Sequence, residues 1–162
     1  MSENTPALPH RDRHGQHTSD AILGDCHRAC MSVLLDVPNG PHLPTPDAEQ
    51  ATNGRWWFMW RTFLADLGLE ARTSQANGPI WGELWIASVP SLNFEGAGHS
   101  IVMRDSAVWF DPSPALRYEG ELLGSDVVIA GTHLAIADAS RLHRLVQLQA
   151  SLTGPSPEDT ND

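Results

Sequence analysis

The chain has 162 residues, 41% of them hydrophobic, enough for one domain with its own core and too few for a comfortable division into two. Its formal charge is -10, and the 10 Lys and Arg residues are scattered, so nothing supplies the basic stripe that a nucleic-acid partner requires. No apolar run reaches the length of a membrane span, and the opening MSENTPALPHRDRHG holds no apolar signal core; no membrane partner and a cytoplasmic setting are expected.

Residues 1–18 carry Pro6, Pro9 and three histidines (His10, His14, His17) with hardly any large apolar side chain, and read as a flexible arm. Residues 19–150 read as the single folded domain, and residues 151–162 as a disordered acidic tail. The domain opens with LGDCHRACMSVLLDVP, residues 23–38. Here Cys26, Ala29, Cys30, Val33, Leu34 and Val37 recur at steps of three and four, the period of one apolar helix face. Asp25 is a good cap for the orphan amides of a first turn, so the helix is expected to start at Cys26. His27 falls off the apolar face and is expected at the surface. From Pro38 to Asn53, four prolines mark a loop too long for a simple turn, a candidate wall of a cleft.

A second helix is expected from about Gly54 to Leu67, where Trp56, Trp60, Phe63, Leu64 and Leu67 keep helical spacing and Gly68 supplies the stop. Trp56, Trp57 and Trp60 cannot all face one stripe, so at least one should line a groove or pack under the proline loop. Leu69 to Ser74 alternates like a short edge strand, and Leu84 to Val89 reads as another strand. His99–Arg104 and Ala107–Asp111 then form a hairpin around Asp105 and Ser106. Counted outward from that turn, His99 falls opposite a position near 112, which leaves Asp111 within reach. Asp126 to Asp138 reads as a strand pair or a strand bent at Gly131, and Ala139 to Leu152 as a helix or an extended segment. His42, His133 and His143 show no partner in the pattern.

Three of these residues form a chemical set. Cys26 at a helix start feels the positive end of the helix dipole, which favours thiolate. His99 can take the thiol proton and return it to a leaving amine, and Asp111 can fix the imidazole tautomer and stabilise imidazolium. The backbone amide of Cys26 is one oxyanion donor, and the side-chain amide of Gln16 can supply a second. The alternative for both cysteines is plain burial, since free cysteine is among the most buried residue types. Cys30, a turn deeper, is expected in the core. Two cysteines four apart on one helix are badly placed to bond each other. With a histidine they could hold zinc, but the usual cysteine spacings are absent, so no metal and no cofactor are expected.

GDCHRACMSVLLDVP, the later GHSIVM and VWFDPSP resemble the papain-like cysteine peptidase superfamily, closest to bacteriocin-processing and related small phage or bacterial cysteine hydrolases. The resemblance covers about half the chain. It implies an α+β papain-like fold, with N-terminal helices packed on a C-terminal antiparallel β-sheet. It further implies Cys26 as nucleophile, His99 as general base and acid, Asp111 as the orienting acid and Gln16 as the oxyanion glutamine. The expected function is hydrolysis of a peptide or isopeptide amide in a peptide or protein substrate. A catalytically idle binding module on the same fold and a thiol acyltransferase are the alternatives, and the oligomeric state is left open.

Overall fold

Two helices and a five-stranded antiparallel sheet position the candidate residues. The computed structural model describes residues 25–45, 55–74, 83–93, 95–113, 118, 120–124 and 126–152. The N-terminal arm, Gln16, the later part of the proline loop and the tail beyond Leu152 lie outside these residues, as does the side chain of Asp25.

Helix α1 spans Asp25–Leu35, one residue earlier than its apolar spacing indicates. It ends in a Schellman turn. Asp36 takes a left-handed φ of 53°, the Asp36 amide donates to Val33 O at 3.1 Å, and the Val37 amide donates to Ser32 O at 3.0 Å. Helix α2 spans Arg55–Asp66 and closes at Gly68, where φ is 78°. A Cβ on Gly68 would lie 2.2 Å from the carbonyl oxygen of Asp138, so this stop needs glycine for space as well as for conformation.

The strands are β1 (Leu69–Ser74), β2 (Leu84–Pro90), β3 (Gly98–Arg104), β4 (Ala107–Phe110) and β5 (Ala130–Ile136). They lie in the order β1-β5-β2-β3-β4, with every neighbouring pair antiparallel, so β1 is an edge strand as its alternation indicates. Strand β5 does not bend at Gly131. That residue pairs with both Ser74 and Ala87 inside a continuous strand, because a residue without a side chain fits between two partners as readily as it makes a bend. A short 3-10 turn (Ala139–Arg141) then leads into helix α3, Leu142–Leu152. Residues 151 and 152 therefore belong to a helix rather than to the tail.

Strand periodicity divides the core in two. Ile86, Val102 and Phe110 face the helices and pack with Cys30, Met31, Leu35 and Leu64. Trp85, Ala87, Val89, Ile101 and Met103 face the other way and are covered by Tyr118, Leu123 and Val128. Each fully buried Leu- or Met-sized side chain contributes about 1.5–3 kcal/mol. Helix α1 buries Ala29, Cys30, Met31, Val33 and Leu35 around most of its circumference, so it sits centrally rather than on the surface by one stripe. Leu142, Leu145, Leu148 and Leu152 of α3 pack against the same core, and Gln149 Nε2 donates to Leu35 O at 2.8 Å.

Candidate active site

Cys26 lies in the first turn of α1, partly exposed, and His99 is the second residue of β3. Helix α1 packs against β3, which brings the start of the helix to the start of the strand. Asp111 follows β4 directly and is fully buried.

The register of the hairpin decides where Asp111 points. Near the turn Met103 pairs with Val108, and continuing that register would set Asp111 opposite Ser100, on the face away from His99. An irregularity intervenes, so that Val102 pairs with Phe110 and Trp109 is an extra residue. Extending the shifted register by one residue brings Asp111 level with Ile101, on the same face as His99 and diagonal to it. The contact follows: His99 Nε2 and Asp111 Oδ1 are 2.7 Å apart. The turn count on the sequence reaches Asp111 as a neighbour, but without the bulge the two side chains would lie on opposite faces.

Asp111 is held on all sides. Its Oδ1 also accepts from the Ser113 amide at 2.9 Å, and its Oδ2 accepts from the Tyr118 amide at 2.8 Å. The Tyr118 hydroxyl donates to Pro90 O at 2.6 Å, and Asn93 Nδ2 donates to Ser113 Oγ at 3.0 Å, which ties both donors to the end of β2 and the turn after it. Burial pushes the Asp111 carboxyl up, but the His99 hydrogen bond and the Tyr118 and Ser113 amides outweigh it, so the group stays below the usual carboxylate range.

Burial pulls the His99 imidazole down, but its bonds to the Asp111 and Cys26 side chains raise it to about 9. For Cys26 burial works upward, and the His99 hydrogen bond and charge, with the Ser100 backbone and hydroxyl, bring it below the ordinary thiol value. With Nε2 committed to Asp111, it is the Nδ1 side of the ring that is left for sulfur. The arrangement can hold a thiolate beside an imidazolium, with a carboxylate behind. Cys30 goes the other way, because burial and then the charges of Cys26 and Asp111 push its thiol well up.

Ser100, Ser113 and Tyr118 were not legible as site residues in the sequence: two of them act through backbone amides, which any residue carries, and Ser100 acts by following His99 along β3. Gln16 lies outside the described residues. Among the described residues no group of three or more His, Cys, Asp or Glu is placed to hold a metal ion.

The expectation that His27 is exposed is overturned. Only 9% of its surface is accessible, and its ring makes edge contacts with Trp56, Trp57 and Trp60 at centroid distances of 5.1, 5.6 and 5.7 Å. Packing of α2 on this side of α1 is the reason. His42 and His143 also find partners, in the carbonyls of Pro38 (2.6 Å) and Ser140 (3.0 Å). Residues 38–45 of the proline loop are fastened by buried Arg28, which donates from Nε to Asn39 Oδ1 at 2.8 Å and from a terminal nitrogen to Thr45 Oγ1 at 2.6 Å. This part of the loop lines a groove with Phe58, Met59 and Phe63 of α2.

No helix among the described residues is long and apolar enough to cross a membrane. Comparisons with protein-family models, with curated proteins and with solved structures gave no match for this chain.

Proposed function

We propose that the chain is a thiol hydrolase on a papain-like fold that cleaves an amide bond, peptide or isopeptide, in a peptide or protein substrate. The observation that carries this reading is the 2.7 Å contact of His99 Nε2 with buried Asp111, on an imidazole whose other side serves the Cys26 sulfur. The papain-like assignment is supported by a cysteine at the start of a helix that packs against an antiparallel sheet carrying the histidine.

In the proposed cycle the Cys26 thiolate attacks the carbonyl carbon and the C=O electron pair moves onto oxygen. That oxyanion accepts from the Cys26 amide, one of the first-turn amides with no intrahelical partner. His99 gives its proton to the leaving nitrogen as the C–N bond breaks, leaving a thioester on Cys26. Neutral His99 then takes a proton from water, whose oxygen attacks the thioester. Collapse releases the acid and restores the ion pair. Asp111 keeps its charge throughout and holds the ring by Nε2.

The test is turnover of a library of fluorogenic peptide amides, paired with labelling by a peptidyl vinyl sulfone. The expected result is hydrolysis of a subset, abolished in Cys26→Ala and His99→Ala, with the label on Cys26. Folded protein that neither hydrolyses any amide nor takes the label would overturn the proposal.

A further inference from the structure

The carboxylate behind His99 takes one of its donors from irregular backbone. The Tyr118 amide lies 2.8 Å from Asp111 Oδ2, seven residues along the chain and outside any helix or strand. An amide within a sheet is placed by the ladder around it. A loop amide keeps its place only through what else in its neighbourhood is fastened down.

Tyr118 supplies that fastening itself. Its side chain is buried in the core layer of Val89, Ile101 and Val128, on the sheet face away from the helices. Its hydroxyl donates to Pro90 O at 2.6 Å. Pro90 ends β2 and pairs with Gly98, one step beyond the pair of Val89 with His99. A single residue therefore spans from the strand beside His99 to the carboxylate behind it. Burial, and then the charges of Asp111 and Glu121, push the phenol up, so the hydroxyl keeps its proton and remains a donor. On the other side the Tyr118 carbonyl accepts from the Glu121 amide at 3.0 Å, and Glu121 O accepts from the Val108 amide at 2.9 Å, which ties the residue to β4 as well.

We propose that the Tyr118 hydroxyl is a positioning group for the thiol-hydrolase reaction inferred above, on which this inference rests: bonded to Pro90 O, it holds the amide of its own residue on Asp111 Oδ2 and so keeps Oδ1 aimed at His99 Nε2. The residue acts through Asp111 and not on the reacting atoms. With the carboxylate already in place, no reorganisation is needed when the ring takes its charge. Without the hydroxyl the amide drifts, Asp111 is less well held as an anion, and the imidazolium loses part of its support.

The experiment compares the full unmodified chain with Tyr118→Phe, which keeps the ring and removes the hydroxyl, and with a chain carrying 4-aminophenylalanine at position 118, whose amino group is again a donor. In Tyr118→Phe the His99 titration, followed by NMR, should fall by about one unit from its value of about 9, which is tenfold in the proton equilibrium. For a fluorogenic peptide amide, kcat should fall about tenfold with KM unchanged. The 4-aminophenylalanine chain should recover both. Val128→Ala, which loosens the same core layer and removes no polar tie, should leave the His99 titration where it is. An unmoved titration in folded Tyr118→Phe, or an equal fall in Val128→Ala, would overturn the inference. So would unprotected exchange of the Tyr118 amide hydrogen in the unmodified chain, a measurement that needs no variant to fold. A parent chain that cleaves no amide overturns the hydrolase reading instead, and the titration, read without turnover, keeps the two failures apart.

Discussion

His99 and Asp111 are brought to 2.7 Å by a bulge: the extra residue Trp109 turns Asp111 onto the face of the sheet from which His99 projects. Deleting Trp109 should restore the regular register and carry Asp111 to the other face. The deletion variant is expected to lose the raised titration of His99, measured by NMR, and to lose amide hydrolysis. A deletion variant that folds and keeps both would place the origin of the contact elsewhere.

Asp111→Asn tests the carboxylate itself. Oδ1 of an asparagine could still accept from His99 and the Ser113 amide, but its NH2 would then face the Tyr118 amide, donor against donor. The variant is expected to fold with a loss of about 1–3 kcal/mol, read from denaturant unfolding. His99 should titrate well below its present value of about 9, because the neighbouring negative charge is gone. A titration that does not move would show that Asp111 is structural only.

Stability should fall on the acid side because of His27, which is held at about 4 in the fold against 6.5 in the unfolded chain. The unfolded state takes up this proton first, so the neutral ring's contribution is complete above 6.5 and is lost as pH falls toward 4. The difference is on the order of 3 kcal/mol. His27→Phe should flatten this limb of a plot of Tm against pH, and an unchanged limb would contradict the burial of that ring.

On the alkaline side the signs cancel in the unmodified protein. His99 raised to about 9 favours the fold below 6.5 and loses that effect as pH rises through 9. The lowered Cys26 works in the opposite sense, because the fold there favours loss of a proton. Cys26→Ala removes the offset together with the part of the His99 shift that Cys26 supplies, so a decline set by Asp111 should remain as pH rises above 6.5, steeper there than in the parent chain. Parallel curves would count against coupling of the two groups.

Gly68→Ala should be costly although it is far from the chemistry. The new methyl would meet the Asp138 carbonyl oxygen in a backbone conformation with φ of 78°. A loss of more than about 1 kcal/mol is expected, with Cys26 reactivity unchanged under conditions where the variant is folded. A neutral effect on unfolding would mean that the chain between α2 and β1 readily shifts.

Local pattern was a good guide where one element explains itself. The Cys26 to Val37 spacing, the Gly68 stop, the edge strand at Leu69 and the turn at Asp105 and Ser106 each express a period or a turn preference within a few residues. What sequence could not convey was how elements sit against one another. His27 lies off one apolar stripe and on that ground alone would face solvent, yet His27, Met31 and Leu35 form a second, buried stripe at steps of four, whose His27 end is covered by the α2 tryptophans. That spacing was the available signal. Gly131 allows either a strand pair or a strand with a bend, whereas its two strand partners keep it extended within one strand. The bulge at Trp109 carries no glycine or proline to mark it, so only pairing on both sides reveals it.

The most direct test of the account is the rate at which iodoacetamide alkylates each cysteine in the native protein at about pH 6, where an ordinary thiol is almost wholly protonated. Peptide mass spectrometry separates the two sites, and His99→Ala supplies the comparison. The account predicts rapid modification of Cys26, protection of buried Cys30, and marked slowing at Cys26 once His99 is removed from a chain that still folds. Equal labelling of the two cysteines, or a Cys26 rate indifferent to the loss of His99, would contradict the ion pair on which the proposed chemistry depends.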